Sequence, residues 1–306
     1  GLPAWVVGLI VAGIVLGIVS VIVLSAITVH ARHVRARAAR HSGRASAEPF
    51  ALNPAGAPAL LLVHGFADGP AVFAQLAPLL VAEGCAVRAL HLTGFGGTLD
   101  QMANVTLAVW RTDLDREIAA LRAENPARPI WLVGHSLGGA LAFDAALRPE
   151  NRIAGLVLLA PLVQVSRARS PGLSPRQWFA ILDRLLVFTD VVESRLPKDL
   201  RDPAARAEYR TDKFIHRAAY RAQGAAVDVV GPRAAERRGP LFMAIAPSDQ
   251  IVDSSATRFF FGATNAAPAH LVEIHAAGHV LPLDYGHEKL AAKIARFVRE
   301  TSPAAP

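Results

Sequence analysis

The sequence is poor in the residues that would support disulfide, metal or nucleotide chemistry. Its 306 residues include one cysteine, Cys85, which excludes an intramolecular disulfide and a cysteine metal cluster. It contains no HExxH pair and no glycine-rich dinucleotide fingerprint, so we expect no metal ion and no organic cofactor. Because Cys85 precedes an apolar, strand-like run, we interpret it as a packing residue.

Charge is missing from one long stretch and uneven elsewhere. Residues 4–29 contain no charged side chain, although the whole chain carries a formal charge of +7. Residues 1–44 carry +5, residues 161–239 carry +6, and the remainder carries −4. Nucleic-acid binding would call for basic residues interleaved with aromatics or for a recognisable binding motif. The chain has neither, so we expect no nucleic-acid partner.

The uncharged stretch Ala4–Val29 is typical of a transmembrane helix. As a helix it would extend about 39 Å, more than the roughly 30 Å of a bilayer's hydrocarbon core, and Trp5 suits an interfacial anchor. A cleaved signal peptide would have a shorter apolar run, of about 7–15 residues, with basic residues before it. A buried core helix would show a polar face. We therefore predict a membrane anchor over residues 1–30.

A basic segment follows the anchor directly, from His30 to Arg44. By the positive-inside rule it remains cytoplasmic, which predicts a single-pass protein with the rest of the chain on the cytoplasmic side. The same residues suit contact with anionic headgroups. Residues 31–58 are predicted to be a basic juxtamembrane segment and linker, because Ser42–Pro58 is rich in small residues, glycine and proline.

From Ala59 onward short apolar runs alternate with helical patterns. Six runs resemble strands buried on both faces: Ala59–Val63, Cys85–Leu90, Ile130–Val133, Leu156–Ala160, Leu241–Ala246 and His270–His275. Five segments have helical patterns: Val72–Glu83, Thr106–Ala123, Leu137–Leu147, Ser255–Phe261 and His287–Arg299. This alternation predicts a doubly wound, mostly parallel α/β domain formed by residues 59–160 and 240–306.

Residues 161–239 interrupt the alternation. Apolar residues recur there at helical spacing, at Trp178, Phe179, Ile181, Leu182, Leu185 and Leu186. We predict a helical lid, or cap, inserted between two strands of the sheet. Its fifteen basic and nine acidic residues allow two interpretations. They either present positive charge to anionic headgroups or form a solvated surface of locally paired charges.

The clearest functional motif is Gly134-His135-Ser136-Leu137-Gly138, which fits G-x-S-x-G. A predicted strand precedes it and a predicted helix begins immediately after it, as in a nucleophile elbow. Ser136 would then be the nucleophile, and the Leu137 N–H would face a developing oxyanion. The alternative is an inert serine in a glycine-rich strand-to-helix turn.

A serine hydroxyl needs an adjacent base, and the base needs an acid that fixes its tautomer. Asp249 and His279 each follow a predicted strand end. Asp253 is the second candidate acid, although its place before a helix suits a cap. For the base the alternatives are His275, expected within a strand, and His287, expected to start the last helix.

A second oxyanion donor is expected in the loop after the first core strand. Gly65 permits close approach of the backbone there, and the Phe66 N–H would donate. His64, directly before them, is a further candidate base. We prefer for it a supporting role, in which its ring holds the loop by hydrogen bonds.

Taken together and in this order, these pieces resemble the α/β-hydrolase superfamily. The matching segments are HGF (64–66), GFGG (94–97), GHSLGG (134–139), SDQIVD (248–253) and AGH (277–279). The likeness is greatest to the monoacylglycerol lipase and carboxylesterase branch, also classed with serine aminopeptidase-like hydrolases, and extends over about residues 59–300. The two antiparallel strands that open the family's sheet have little room before Ala59.

The resemblance implies hydrolysis of a carboxylic ester through an acyl-serine intermediate. Ser136 would attack, His279 would accept its proton, Asp249 would orient His279, and the Phe66 and Leu137 N–H groups would bind the oxyanion. An enzyme fixed beside a bilayer meets acyl lipids, so a monoacylglycerol or lysophospholipid is the expected substrate type. The alternatives are an acyltransferase with the same triad and a membrane-tethered scaffold without activity.

Overall fold

The computed structural model describes residues 1–41, 43–185, 189–194 and 197–302. The strands are β1 (Phe50–Leu52), β2 (Ala59–Val63), β3 (Ala86–Ala89), β4 (Ile130–His135), β5 (Gly155–Leu159), β6 (Val191–Glu193), β7 (Phe214–His216), β8 (Leu241–Ile245) and β9 (Leu271–Glu273). The α-helices are α1 (Ala4–Arg40), α2 (Leu76–Ala82), α3 (Leu99–Ala103), α4 (Leu107–Glu124), α5 (Leu137–Ala146), α6 (Pro175–Leu185), α7 (Pro203–Glu208), α8 (Arg217–Val230), α9 (Ser254–Gly262) and α10 (His287–Thr301).

A seven-stranded sheet in the order β1-β3-β2-β4-β5-β8-β9 forms the centre of the molecule. β1 pairs antiparallel with β3, and every other neighbouring pair in this sheet is parallel. The predicted doubly wound α/β fold is therefore confirmed. A single antiparallel strand precedes β2, which agrees with the little room expected there.

Both faces of the central strands β2, β4, β5 and β8 are buried, which explains their apolar sequences. Because side chains alternate along a strand, Leu60 and Leu62 of β2 face one side, where α2 and α10 pack. Leu61 and Val63 face the other side, where α4, α5 and α8 pack. All four leucine and valine side chains are fully buried.

Most predicted elements are present, with shifts of one or two residues at their ends. The predicted helix Val72–Glu83 differs more, because it divides into a 3₁₀ turn at Pro70–Phe73 and α2, which starts at Leu76. Pro78 accounts for the division. Proline lacks an N–H and is tolerated only in the first turn of an α-helix, so α2 cannot begin as early as Val72.

The chain leaves the sheet after β5 and returns at β8, and we call residues 161–239 the insertion. It contains the helix that the apolar spacing predicts, α6, together with α7 and α8. It also contains an antiparallel pair, β6 and β7, that the sequence did not reveal. Each of these strands has three residues, too few to establish an alternating pattern. Leu186, part of the predicted helical pattern, lies outside the described residues.

α1 is a continuous helix of 37 residues, about 55 Å long at 1.5 Å per residue. Its most apolar window of 18 residues has a mean hydropathy of 3.0, and none of that window is buried. No residue from Ala4 to His30 is buried, and Trp5 is 70% exposed. Beyond that point Ala31, Val34 and Ala38 are buried, so the helix continues past residue 30 into contact with the rest of the protein.

Candidate active site

The predicted site residues meet at the carboxyl edge of the parallel strands. Ser136 follows β4, Asp249 lies four residues beyond β8, and His279 lies beyond β9. Phe66 lies just past β2, which pairs with β4. Parallel strands place their carboxyl ends on one edge, and ligands of open α/β sheets bind outside that edge.

Ser136 lies on a strained turn between β4 and α5. Its φ of 54° and ψ of −120° are unusual for a non-glycine residue, a conformation that costs of order 1–3 kcal/mol. The turn is held because the Ser136 N–H donates to the Leu159 oxygen at 3.0 Å and the Ser136 oxygen accepts from the Leu162 N–H at 2.9 Å. A Cβ on Gly138 would lie 2.0 Å from the Val63 oxygen, so only glycine permits α5 to approach β2 this closely.

A continuous hydrogen-bond relay connects the three polar side chains. His279 Nε2 lies 2.9 Å from Ser136 Oγ, and His279 Nδ1 lies 2.7 Å from Asp249 Oδ2. The other carboxylate oxygen of Asp249 accepts the N–H groups of Ile251 and Val252 at 2.7 and 2.8 Å. With Nδ1–H donating to Asp249, Nε2 is left to accept the serine proton.

The relay is buried, and Asp249 and His279 each stabilise the charged form of the other. Ser136 and His279 are 5% and 6% exposed. Burial favours the neutral form of His279, but the Asp249 charge and hydrogen bond outweigh it and raise the pKa of His279 above 6.5. Burial also opposes ionisation of Asp249, yet the His279 charge and the two backbone N–H groups lower the pKa of the Asp249 carboxyl.

The alternative acid, Asp253, and the alternative bases, His275 and His287, are not part of the Ser136–His279–Asp249 relay. Asp253 caps α9, where its Oδ1 accepts from the Ser255 and Ala256 N–H groups. His275 lies just after β9 rather than within it, and its side chain is 78% exposed. His287 begins α10, where Nδ1 donates to the Asp284 oxygen.

Two further histidines are fully enclosed and brace the site loops. His64 Nδ1 donates to the Gly65 oxygen at 2.9 Å, and Nε2 accepts from the Leu92 N–H at 3.0 Å. His135 Nε2 donates to the His279 oxygen at 3.1 Å, and its ring lies 4.9 Å from the His279 ring. Burial lowers the pKa of each ring to about 3, so both remain neutral.

The two expected oxyanion donors are available. Among the described residues, the Phe66 and Leu137 N–H groups donate no hydrogen bond within the protein. A Cβ on Gly65 would lie 3.2 Å from Ser136 Cβ, so the loop that carries Phe66 packs directly against the elbow. Free N–H groups beside a serine hydroxyl suit stabilisation of negative charge on a substrate oxygen.

Asp68 and Tyr209 form hydrogen bonds beside the Phe66 loop that the sequence did not indicate. Asp68 Oδ1 accepts the Gly69 N–H and Oδ2 accepts the Tyr209 hydroxyl, both at 2.8 Å. Burial raises the pKa of Asp68 to about 7. Asp68 lies two residues after Phe66, which could have drawn attention to it. Tyr209 comes from the insertion, and no local pattern connects it to the site.

Aromatic side chains of the insertion pack against the loop that carries Phe66. The Tyr220 ring of α8 lies 5.0 Å from the Phe66 ring and 6.0 Å from the Phe179 ring of α6. Burial raises the pKa of Tyr220 to about 12. Within the described part of the chain, no cluster of three or more His, Cys, Asp or Glu could hold a metal ion. The candidate site therefore consists of the Ser136–His279–Asp249 relay with aromatic side chains close to its Phe66 loop.

Comparison with known proteins identifies the family of the chain. The profile of the family described as serine aminopeptidase, S33, matches residues 56–285. The monoacylglycerol lipase of Mycolicibacterium smegmatis is 24% identical over 219 residues, which cover 69% of this chain and 77% of that enzyme. The human monoglyceride lipase is 32% identical over 113 residues, which cover 36% of this chain and 37% of that enzyme's length.

Solved structures share the fold. A metagenome-derived lipolytic enzyme superposes with a TM-score of 0.72 at 21% identity, covering 83% of this chain and 98% of its own. The monoacylglycerol lipase of Paleococcus ferrophilus gives a TM-score of 0.67 at 20% identity, covering 83% of this chain and 99% of its own. The fold and the matched relatives define an α/β-hydrolase of the lipase and esterase type. Within that superfamily the chain belongs to the serine aminopeptidase S33 family.

Proposed function

We propose that this protein is a membrane-anchored serine esterase that cleaves lipid-like carboxylic esters through an acyl-serine intermediate. The observation that carries the proposal is the relay from Ser136 Oγ through His279 to Asp249, with distances of 2.9 and 2.7 Å. These distances suit proton transfer without further movement. In the first step Ser136 Oγ attacks the ester carbonyl while His279 Nε2 accepts the hydroxyl proton.

The remaining steps use the same groups. The Phe66 and Leu137 N–H groups bind the oxyanion, and Asp249 stabilises the imidazolium that has formed on His279. His279 then gives its proton to the leaving alcohol, which departs and leaves an acyl-Ser136 ester. In the second half His279 removes a proton from water, the hydroxide attacks the acyl carbonyl, and Ser136 is released with the carboxylic acid.

Two apolar surfaces support a lipid-like substrate. The aromatic cover formed by Phe66, Phe179 and Tyr220 would surround an acyl chain rather than a polar group. On the outside of α6, Trp178 and Ile181 are 38% and 39% exposed and suit contact with lipid. We propose that the insertion is a lid whose movement admits the substrate, and the monoacylglycerol lipase names of the relatives favour the same substrate class.

A basic cavity close to Asp249 suggests that the substrates include lipids with an anionic headgroup. It is an open depression of about 480 Å³ that includes Gln250, one residue from Asp249, and Asp199. Four cationic side chains line it, and within the described residues none of them forms an ion pair: Arg169, Lys198, Arg201 and Arg206. Unpaired cations in a cavity beside the site suit the phosphate of a lysophospholipid.

We propose that α1 spans the membrane and that the hydrolase domain lies on the cytoplasmic side. Support comes from the unburied apolar stretch Ala4–Val29 and from the arginines that follow it. Added protease should leave the domain uncut in right-side-out cells and digest it in inverted membranes. Digestion in the right-side-out cells would place the domain outside.

The activity is tested with Ser136→Ala and a panel of p-nitrophenyl and glyceryl esters of graded chain length. We expect the parent to turn over esters with a preference for longer acyl chains, and the variant to lose turnover at unchanged melting temperature. Thr257→Ala, a hydroxyl removed from the interior of α9, serves as the control that should keep its activity. Full turnover by folded Ser136→Ala protein would place the nucleophile elsewhere.

A further inference from the structure

The loop that carries the oxyanion donor Phe66 is strained and held from outside. Ala67 has a φ of +58°, in the left-handed region that an alanine adopts only at a cost of about 1 kcal/mol or more. Two contacts from the insertion hold it there. The Asp212 N–H donates to the Ala67 oxygen at 2.8 Å, and the Tyr209 hydroxyl donates to Asp68.

Asp212 also connects this loop to the chain segment that follows α1. Its Oδ1 accepts the Ala45 N–H at 3.1 Å, and its Oδ2 accepts the Gly96 N–H at 2.6 Å. The residue is 5% exposed, so these N–H groups take the place of water as partners of the carboxylate. One buried carboxylate therefore joins three parts of the chain that are far apart in sequence.

Residues 45–47 pack tightly between other parts of the chain. A Cβ on Gly69 would lie 1.8 Å from the Ser46 oxygen, and a Cβ on Gly96 would lie 2.6 Å from the Ala45 oxygen. Ala45 itself is 5% exposed. The segment predicted to be a linker thus occupies a cleft whose walls, at Gly69 and Gly96, have no room for a side chain.

The end of α1 is fixed to the same side of the protein. Val34 and Ala38 are 2% and 4% exposed and pack against Val191 of β6 and Phe214 of β7. Arg35 forms an ion pair with Asp190, and Arg37 forms one with Glu193. Phe214 lies two residues after Asp212, so the helix contacts the insertion directly beside the residue that holds the oxyanion loop.

We propose that residues 31–41, at the end of α1, and residues 43–47 position the oxyanion loop, and that Asp212 is the positioning residue that connects them. The inference rests on the proposed function, because it assigns a catalytic consequence to Phe66. The membrane helix would then be part of the catalytic architecture as well as an anchor. Loss of this contact would misplace the Phe66 N–H while leaving the Ser136 relay in place.

The test uses the full chain in detergent micelles, a short soluble ester, and active-site titration by a fluorophosphonate carried to completion. Titration counts the competent sites, so a merely structural role would lower their number but not kcat per site. We expect Asp212→Asn, in which one of the two N–H groups loses its acceptor, to lower kcat per site about tenfold with KM within twofold. Asp228→Asn, an exposed carboxylate of the same insertion, is the control and should be unchanged.

A second pair of variants perturbs the contact from the helix side, far from the loop. Ala38→Asp places a carboxylate in the buried contact with β6 and β7, whereas Ala39→Asp places it on the exposed face one residue later. We expect kcat per site to fall several-fold for Ala38→Asp alone. Parent-like kcat per site in both Asp212→Asn and Ala38→Asp would overturn the inference. Turnover that persists in Ser136→Ala would instead overturn the proposed function.

Discussion

At the scale of single residues, position relative to strand ends distinguishes Asp249, the proposed acid, from its neighbour Asp253. Asp249 and Asp253 belong to one short segment, yet Asp249 accepts the His279 Nδ1–H whereas Asp253 caps α9. The sequence could support the choice, because a residue directly before a helix has a capping role available. It could not reveal that the Ile251 and Val252 N–H groups donate to the carboxylate oxygen of Asp249 that does not contact His279.

The same substitution at these two residues should therefore have very different results. Asp249→Asn removes the acceptor that sets the His279 tautomer, and we expect kcat to fall on the order of 10³–10⁴-fold. Asp253→Asn retains a good helix cap and should change kcat less than twofold. Rates on a short soluble ester, with melting temperatures measured in parallel, check the ranking. A larger loss in Asp253→Asn would move the acid to that residue.

The pH dependence of kcat/KM tests the proposal that His279 is the base. His279 must be neutral to accept the serine proton, so activity should rise with pH through a midpoint above 6.5, because Asp249 raises the pKa. In Asp249→Asn the negative partner is gone, so the midpoint of the remaining activity should move to lower pH. The measurement is kcat/KM from pH 4.5 to 9. A midpoint that stays in place or moves up in the variant would contradict the assignment.

At the scale of elements, the strand–turn–helix unit β4–α5 could be predicted in detail because its chemistry is local. A run of buried apolar residues followed by two glycines and a serine is a motif that can be recognised in the sequence. The strands β6 and β7 and the helix α8 could not be predicted as well. Their residues are stabilised by partners far along the chain, such as Val34 and Ala38 of α1 against Phe214.

Two glycine substitutions test how α5 meets the sheet. In Gly138→Ala the new methyl group would lie 2.0 Å from the Val63 oxygen, and we expect the free energy of unfolding to fall by about 1–3 kcal/mol or more. Gly224→Ala is the matched control within α8, where a Cβ meets nothing within 4 Å. It should stabilise the protein by about 0.5–1 kcal/mol. Denaturant unfolding measures both, and equal effects would contradict the close contact of α5 with β2.

At the scale of the whole molecule, several of the insertion's arginines form ion pairs with acidic residues of the same insertion, so less positive charge is free than the net charge of +6 suggests. Arg176 pairs with Asp228, and Arg217 and Arg221 pair with Asp183. These pairs correspond to the solvated-surface interpretation, and their contribution to membrane attraction is correspondingly small. Arg195, which shares the insertion's positive charge, lies outside the described residues. The four cations of the basic cavity form no ion pair with the described residues and are therefore available to an anionic surface or headgroup.

Assays with lipid vesicles test whether the unpaired cations of the basic cavity, rather than the paired arginines, respond to anionic lipid. Protein without residues 1–30 should remain soluble, and its hydrolysis of a long-chain monoacylglycerol should rise with anionic lipid content and fall with salt. Arg169→Gln with Arg201→Gln should flatten the dependence, since each cation near an anionic surface contributes about 1 kcal/mol. Arg176→Gln, whose cation is paired, is the control and should leave it unchanged. The soluble-ester rate should remain the same in all variants. If hydrolysis still depended on anionic lipid after the double substitution, the basic cavity would not be the site that responds to the lipid's charge.

The covalent step at Ser136 is the central claim and is tested most directly by mapping a fluorophosphonate adduct. The parent protein is labelled, digested and analysed by mass spectrometry for the modified peptide. The relay from Ser136 to His279 and Asp249 predicts one phosphonyl group per chain, on Ser136. It also predicts that labelling slows by orders of magnitude in His279→Ala, because the base that removes the hydroxyl proton is gone. An adduct on another residue, or labelling of Ser136 that is equally fast without His279, would contradict the account.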